Sequence, residues 1–176
     1  KSPDFVDLVQ RLASAVLAGG VDAVASLSDD LDTLRISKKE NIELGRVECF
    51  EAADGNVLDT YLHEQDGRGT VGVLLEVAGV DQELAHEVAL HIAFAKPSAL
   101  RRDEVPADLV AKATEGFEEL TRKEGKPEQA IPKIVEGRLG SWFAERVLPE
   151  QGMFGEKETV QQRLGSGSIV RFALAT

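Results

Sequence analysis

Apolar residues recur along this chain with two periods, and the switches between them mark its elements. Phe5, Leu8, Val9, Leu12 and Val16 share one face of a helix. Ser2 supplies an N-cap, Pro3 a first helical position and Asp4 an acid in the first turn; Gly19-Gly20 ends the segment. A weakly patterned stretch follows, with acids at Asp29, Asp30 and Asp32. Residues 42–52, with Ile42, Val47 and Phe50, read as a strand. Asp54-Gly55 is a hairpin turn signal, and residues 57–63 form the return strand. Residues 64–69 read as a polar loop and 71–77 as a buried strand. Together these predict a three-stranded antiparallel meander.

Asp81 opens a second amphipathic helix, with Leu84, Ala85, Val88, Ala89 and Ile92 on one face and Pro97 beyond its end. Residues 106–124 and 127 to about 148 predict a helical hairpin. Gly125 ends its first helix by taking the left-handed conformation. Pro127 suits the first turn of the next, where its missing N–H has no partner to lose. A loop over 152–158, a short helix over 159–164 and a strand over 169–174 complete the chain. The two amphipathic helices match in pattern, although only Leu8/Leu84 and Ala13/Ala89 are identical. If they are copies of one unit, the first lacks the strand that precedes the second, and residues are expected upstream of Lys1.

Composition narrows the classes of function. With 176 residues and 43% hydrophobic content, the chain has enough apolar surface for one domain or two small subdomains. A net charge of −11 argues against tracking nucleic-acid phosphates and against a polybasic membrane anchor. Cys49 is the single cysteine, so neither an internal disulfide nor a cysteine zinc cluster is expected. No apolar run approaches the roughly 20 residues that span a bilayer. A soluble, cytoplasmic protein is the expectation.

Few motifs point to chemistry. Gly67 to Gly72 matches the dinucleotide spacing GxGxxG, but its glycines lead into a strand, not into a helix N-terminus that meets pyrophosphate. His86 and His91 lie five apart on a helix and diverge by roughly 140°, so they do not share a face as zinc-binding histidines do. The plain reading is one solvated histidine and one near the helix edge. His63 closes a strand at the rim of a loop beside Arg68, and no GxSxG nucleophile elbow accompanies it. A hydrolase or metalloenzyme behind these histidines requires them to converge on a pocket. Trp142 and Phe143 suit packing against the facing helix, or an aromatic anchor for a partner. Met153-Phe154, between Gly152 and Gly155, either tucks beneath the domain or is presented to a partner.

Certain words in the chain resemble the elongation factor Ts family. They are Val71-Gly72-Val73-Leu74-Leu75-Glu76-Val77, Ala89-Leu90-His91-Ile92-Ala93, Gly125-Lys126-Pro127 and Ile134-Val135-Glu136-Gly137-Arg138-Leu139. Gln151 with Phe154 and the closing Val170-Arg171-Phe172 extend the series, and Glu40-Asn41-Ile42 is the best word in the first third. The resemblance implies an α+β fold: antiparallel three-stranded meander sheets with flanking helices, tandem core subdomains and a projecting helical hairpin. It divides the chain into residues 1–53, the remainder of a first core subdomain; 54–105 with 151–176, the second; and 106–150, a coiled-coil-like hairpin insertion.

By the same resemblance the function is guanine nucleotide exchange. The factor binds the GDP form of elongation factor Tu, distorts its magnesium and phosphate region, and lets GDP leave. It makes or breaks no bond and needs no cofactor or metal. The resemblance assigns partner contacts to His63, which faces the partner's third domain, to Glu40 and Asn41, and to Met153 and Phe154; Arg68, beside His63, is expected to join them. The chain departs from the family pattern at several points. The family's Thr-Asp-Phe finger and N-terminal three-helix module belong upstream of Lys1, so this portion is expected to bind but to exchange weakly. Lys39 stands where a glycine is usual, residues 67–70 look longer and looser than the usual turn, and Pro132 falls early in a helix. The alternative is a non-catalytic α+β module for dimerisation or other protein interaction.

Overall fold

A computed structural model describes residues 2–176, which form two compact units divided between Glu51 and Ala52. The fold is α+β.

The first unit is helical. Helix α1 spans Pro3–Gly19, a 3-10 segment spans Val21–Leu27 and helix α2 spans Ser28–Lys38. Leu8, Val16 and Leu34 are buried, whereas Phe5 and Val9, expected on the same buried face, are exposed. A unit of about 50 residues has too little interior to cover every apolar side chain of its helices. Lys38 pairs with Asp4 at 2.8 Å and Arg11 with Asp30 at 2.9 Å. Lys39 ends α2 in the left-handed region, at φ 55°. That conformation costs an ordinary side chain about 1–2 kcal/mol, partly offset by the extra freedom glycine has when unfolded. Lys39→Gly therefore raises stability by about 0.5 kcal/mol, read as a higher urea midpoint in the unfolding of the first unit.

Residues 42–52 form no strand, which corrects the sequence reading. Their apolar positions 42, 44, 47 and 50 shift from a spacing of two to a spacing of three, so they present no single face to a sheet.

The sheet belongs to the second unit and runs in the order β1 (Asn56–Gln65), β2 (Arg68–Ala78), β3 (Ser168–Ala175), all antiparallel. The third strand is instead the chain's last, and it pairs with β2, on the edge opposite the one expected for residues 42–52. Asp54-Gly55 makes a turn into β1, and the hairpin turn is Asp66-Gly67 instead. Both of its residues are left-handed, at φ 53° and 67°. An aspartate and a glycine tolerate that conformation, so two residues suffice to join twisted strands, and the polar loop expected over 64–69 disappears.

Helix α3 (Gln82–Ala95) covers one face of the sheet. Its N-cap, Asp81, accepts the Leu84 N–H at 2.9 Å, satisfying one of the unpaired donors of the first turn. Val73, Leu75 and Val77 of β2 meet Ala85, Val88, Ala89 and Ile92 of α3, with Leu148, Met153, Val160 and Leu164 closing the core. Val160 and Leu164 come from the short helix α6 (Val160–Leu164).

Between α3 and α6 lies the helical hairpin, α4 (Ala107–Lys123) and α5 (Ile131–Ala144). Gly125, at φ 72°, closes α4: its N–H donates to the Arg122 carbonyl at 2.9 Å, and Lys126 N–H to that of Thr121 at 3.4 Å. These two bonds make a Schellman end. The second helix begins later than expected, after Pro127 and a 3-10 turn over Glu128–Ala130. Pro132 consequently falls in the first turn of α5, where no backbone donor is lost. Trp142 and Phe143 pack against Ala99, Val105 and Val147 at the hairpin's base. The Arg146 and Arg102 guanidiniums lie over their rings, at 4.1 and 4.8 Å from the ring centres.

Candidate functional site: two supported surface groups

Two exposed side chains of the second unit stand on rigid supports. The first is His63. Strand alternation places it with Val57, Asp59 and Tyr61 on the face of β1 that carries α3. The Tyr61 hydroxyl lies 3.0 Å from His63 Nδ1, and the two rings stack with centres 6.2 Å apart. A bulge follows His63, and the Thr70 hydroxyl donates to its carbonyl at 3.2 Å. The imidazole edge is thus held at a strand end and open to solvent. Arg68, also exposed, opens β2 opposite Gln65.

The second group is Phe154. Residues 151–159 form a tight clip: Gly152 bridges Thr159, and the Met153 N–H donates to the Glu158 carbonyl at 2.7 Å. A Cβ on residue 152 would stand 2.1 Å from the Glu156 carbonyl oxygen, so the clip closes only around glycine. Within it the Met153-Phe154 pair divides. Met153 is 5% exposed and fills the core, not the surface, while Phe154 is 45% exposed. Its ring meets His91 edge-on, at 5.6 Å, and lies 6.1 Å from Phe94, which is 65% exposed.

His91 is fully buried, which corrects its expected place near a helix edge. Its Nδ1 accepts the Phe154 N–H at 3.0 Å, and its Nε2 faces Gln151 Oε1 at 3.1 Å. Desolvation by burial pushes its pKa below the ordinary value, against the hydrogen bond with Gln151, which raises it. His86 points elsewhere and pairs with the Asp59 carboxylate at 2.9 Å. Among the described residues, no group of three His, Cys, Asp or Glu side chains is poised to hold a metal.

Glu40 and Asn41 follow α2 in the first unit, both exposed, and the Asn41 amide donates to Glu43 at 3.1 Å. Sequence reasoning attached no physical role to Glu76, which is 2% exposed within β2. Its Oε1 accepts from Asn56 Nδ2 at 2.8 Å and the Ala53 N–H at 3.0 Å, and its Oε2 from Arg171 Nε at 2.6 Å. The bonds from Asn56, Ala53 and Arg171 hold its pKa down to about 2. One acid inside the apolar run 71–77 was the only signal for this site in the sequence.

Exposed arginine and aromatic side chains on a sheet end and a braced loop are residue types common at protein interfaces. The chain belongs to the elongation factor Ts family, whose model, Elongation factor TS, matches residues 1–174. It is 40% identical over 182 residues to elongation factor Ts of Saccharopolyspora erythraea, covering 96% of this chain and 66% of that protein. The corresponding figures for Mycobacterium tuberculosis H37Ra are 42%, 96% and 66%, and for Deinococcus deserti 37%, 98% and 67%. The chain therefore spans about two thirds of the length of these relatives. No helix among the described residues is long and apolar enough to cross a membrane.

Proposed function

We propose that this chain is the partner-gripping portion of a translation elongation factor that exchanges guanine nucleotide on elongation factor Tu. Support comes above all from the family match over residues 1–174. In this reading His63, Arg68 and Phe154 of the second unit, with Glu40 and Asn41 of the first, contact the GDP form of the partner, and Met153 anchors Phe154 from below. Residues 1–53 belong to a first core subdomain, 54–105 with 151–176 make the second, and 106–150 are its inserted hairpin. The action is coupling, not bond chemistry. A protein that weakens GDP binding on its partner is itself bound more weakly when GDP is present, by the same factor. Residues 1–176 contain no Thr-Asp-Phe, so taken alone they bind and exchange weakly.

The test loads elongation factor Tu with fluorescent GDP and follows its release on adding the chain. Micromolar binding with weak acceleration is expected, and Phe154→Ala lowers affinity about tenfold, as loss of an exposed aromatic anchor does. Absence of binding at tens of micromolar sinks the reading. A second role, self-association, draws on α4, where Leu109 and Leu120 are both exposed and stand three turns apart on one face. Light scattering across a concentration series tests it, and a constant monomer mass refutes it.

A further inference from the structure

Phe154 is a bulky residue in a conformation that favours glycine. Its φ of 51° and ψ of 28° lie in the left-handed region, and Gly155 follows at φ 84°. The chain has glycine at 155 and keeps a phenylalanine at 154, where the backbone disfavours it. Strain of this kind persists only where surrounding structure over-determines it, and it clusters at functional positions. The surrounding structure here is a relay with one direction. Gln151 Nε2 donates to the Glu145 carbonyl at 2.9 Å, which turns Gln151 Oε1 toward His91. His91 Nε2 therefore carries the proton, and its bare Nδ1 must accept. The donor that fills it is the Phe154 N–H. Both relay side chains are buried, with His91 at 0% and Gln151 at 5% exposure.

We propose that His91 and Gln151 are positioning residues for partner binding: they lock the left-handed backbone at Phe154 and aim its ring outward beside Phe94, making one two-ring contact for elongation factor Tu. This rests on the function proposed above. Burial of His91 disfavours its charged form and so keeps Nδ1 free to accept. Phe94, on the last turn of α3, supplies the second ring, so the contact is wider than the loop alone.

The experiment uses the full 176-residue chain and three substitutions. His91→Asn keeps an amide oxygen near the Nδ1 position, His91→Phe keeps volume without an acceptor, and Phe154→Ala removes the ring. In the free chain, hydrogen exchange at the Phe154 amide should stay slow in the wild type and His91→Asn, and quicken in His91→Phe. Dissociation from GDP-loaded elongation factor Tu should be about tenfold faster for His91→Phe and within about twofold of wild type for His91→Asn. In the Phe154→Ala background, His91→Phe should add less than about twofold, because the ring it positions is gone. Equal losses in both His91 variants, or a full loss in the Phe154→Ala background, overturn positioning in favour of a structural role. If the wild-type chain does not bind, the function reading falls and takes the partner contact with it. Amide exchange then still decides separately whether His91 holds the Phe154 backbone.

Discussion

Replacing Glu76 with glutamine lowers the melting temperature at pH 7 far more than replacing an exposed acid such as Glu119, and the deficit shrinks in acid. The carboxylate uses both oxygens, one for Asn56 and the Ala53 N–H, the other for Arg171. A glutamine amide has one oxygen and one NH2 group. In either orientation the NH2 faces donors, so either the Asn56 amide and the Ala53 N–H or the Arg171 guanidinium loses its acceptor. Glu76 has its pKa lowered from 4.5 to about 2, so its contribution is fully present above about pH 4.5 and disappears as pH falls through about 2. The gap between wild type and Glu76→Gln should therefore be constant from pH 7 to 5 and close between pH 4.5 and 2. Calorimetry across that range checks it. A gap that stays open at pH 2 means that packing, not charge, holds this position.

Gly152→Ala should cost about 2–4 kcal/mol, because the contact at 2.1 Å is with backbone and no rotamer relieves it. The clip opens, losing the Met153 bond to Glu158 and the bridge to Thr159. Met153 leaves the core and Phe154 loses its platform, so partner affinity falls together with stability. Denaturant unfolding measures the first loss, and exchange at the Met153 and Val160 amides locates it. Wild-type exchange at both amides would show that the loop accommodates a methyl group.

The sequence was easiest to read where one face of an element is buried. Helix α3 and strand β2 announce themselves through Val73, Leu75, Val77, Val88 and Ile92, because burial on one side imposes a period. Gly125 was legible because a helix end needs a left-handed residue. Two Asp-Gly pairs competed for one hairpin, and composition could not rank them. The pair at 66–67 won because strand pairing runs up to it on both sides, with Gln65 opposite Arg68. The strand expected over 42–52 failed because strand tendency counts for little without an edge to pair with, and β3 took the free edge of β2. The buried polar groups were illegible for a different reason. Glu76 and Arg171 lie 95 residues apart, and His91 and Phe154 lie 63 apart. A buried polar residue is recognisable by its partner, and only the fold supplies that pairing. At the candidate site, the family resemblance pointed to His63 and Phe154, but local pattern could not tell that Met153 turns inward.

The hairpin's base has a consequence for how such a chain is rebuilt. Ser98 and Ala99 N–H groups reach the Arg146 carbonyl, and the Leu148 N–H reaches the Ala99 carbonyl at 2.9 Å. Entry and exit of a segment of more than 40 residues are thus stitched within one residue pair, sealed by Ala99, Val105 and Val147. A segment whose ends already touch is a natural cassette: with the Glu145 carbonyl that orients Gln151 kept, its arms can be lengthened, shortened or exchanged for another hairpin while the sheet and the His91 relay keep their register.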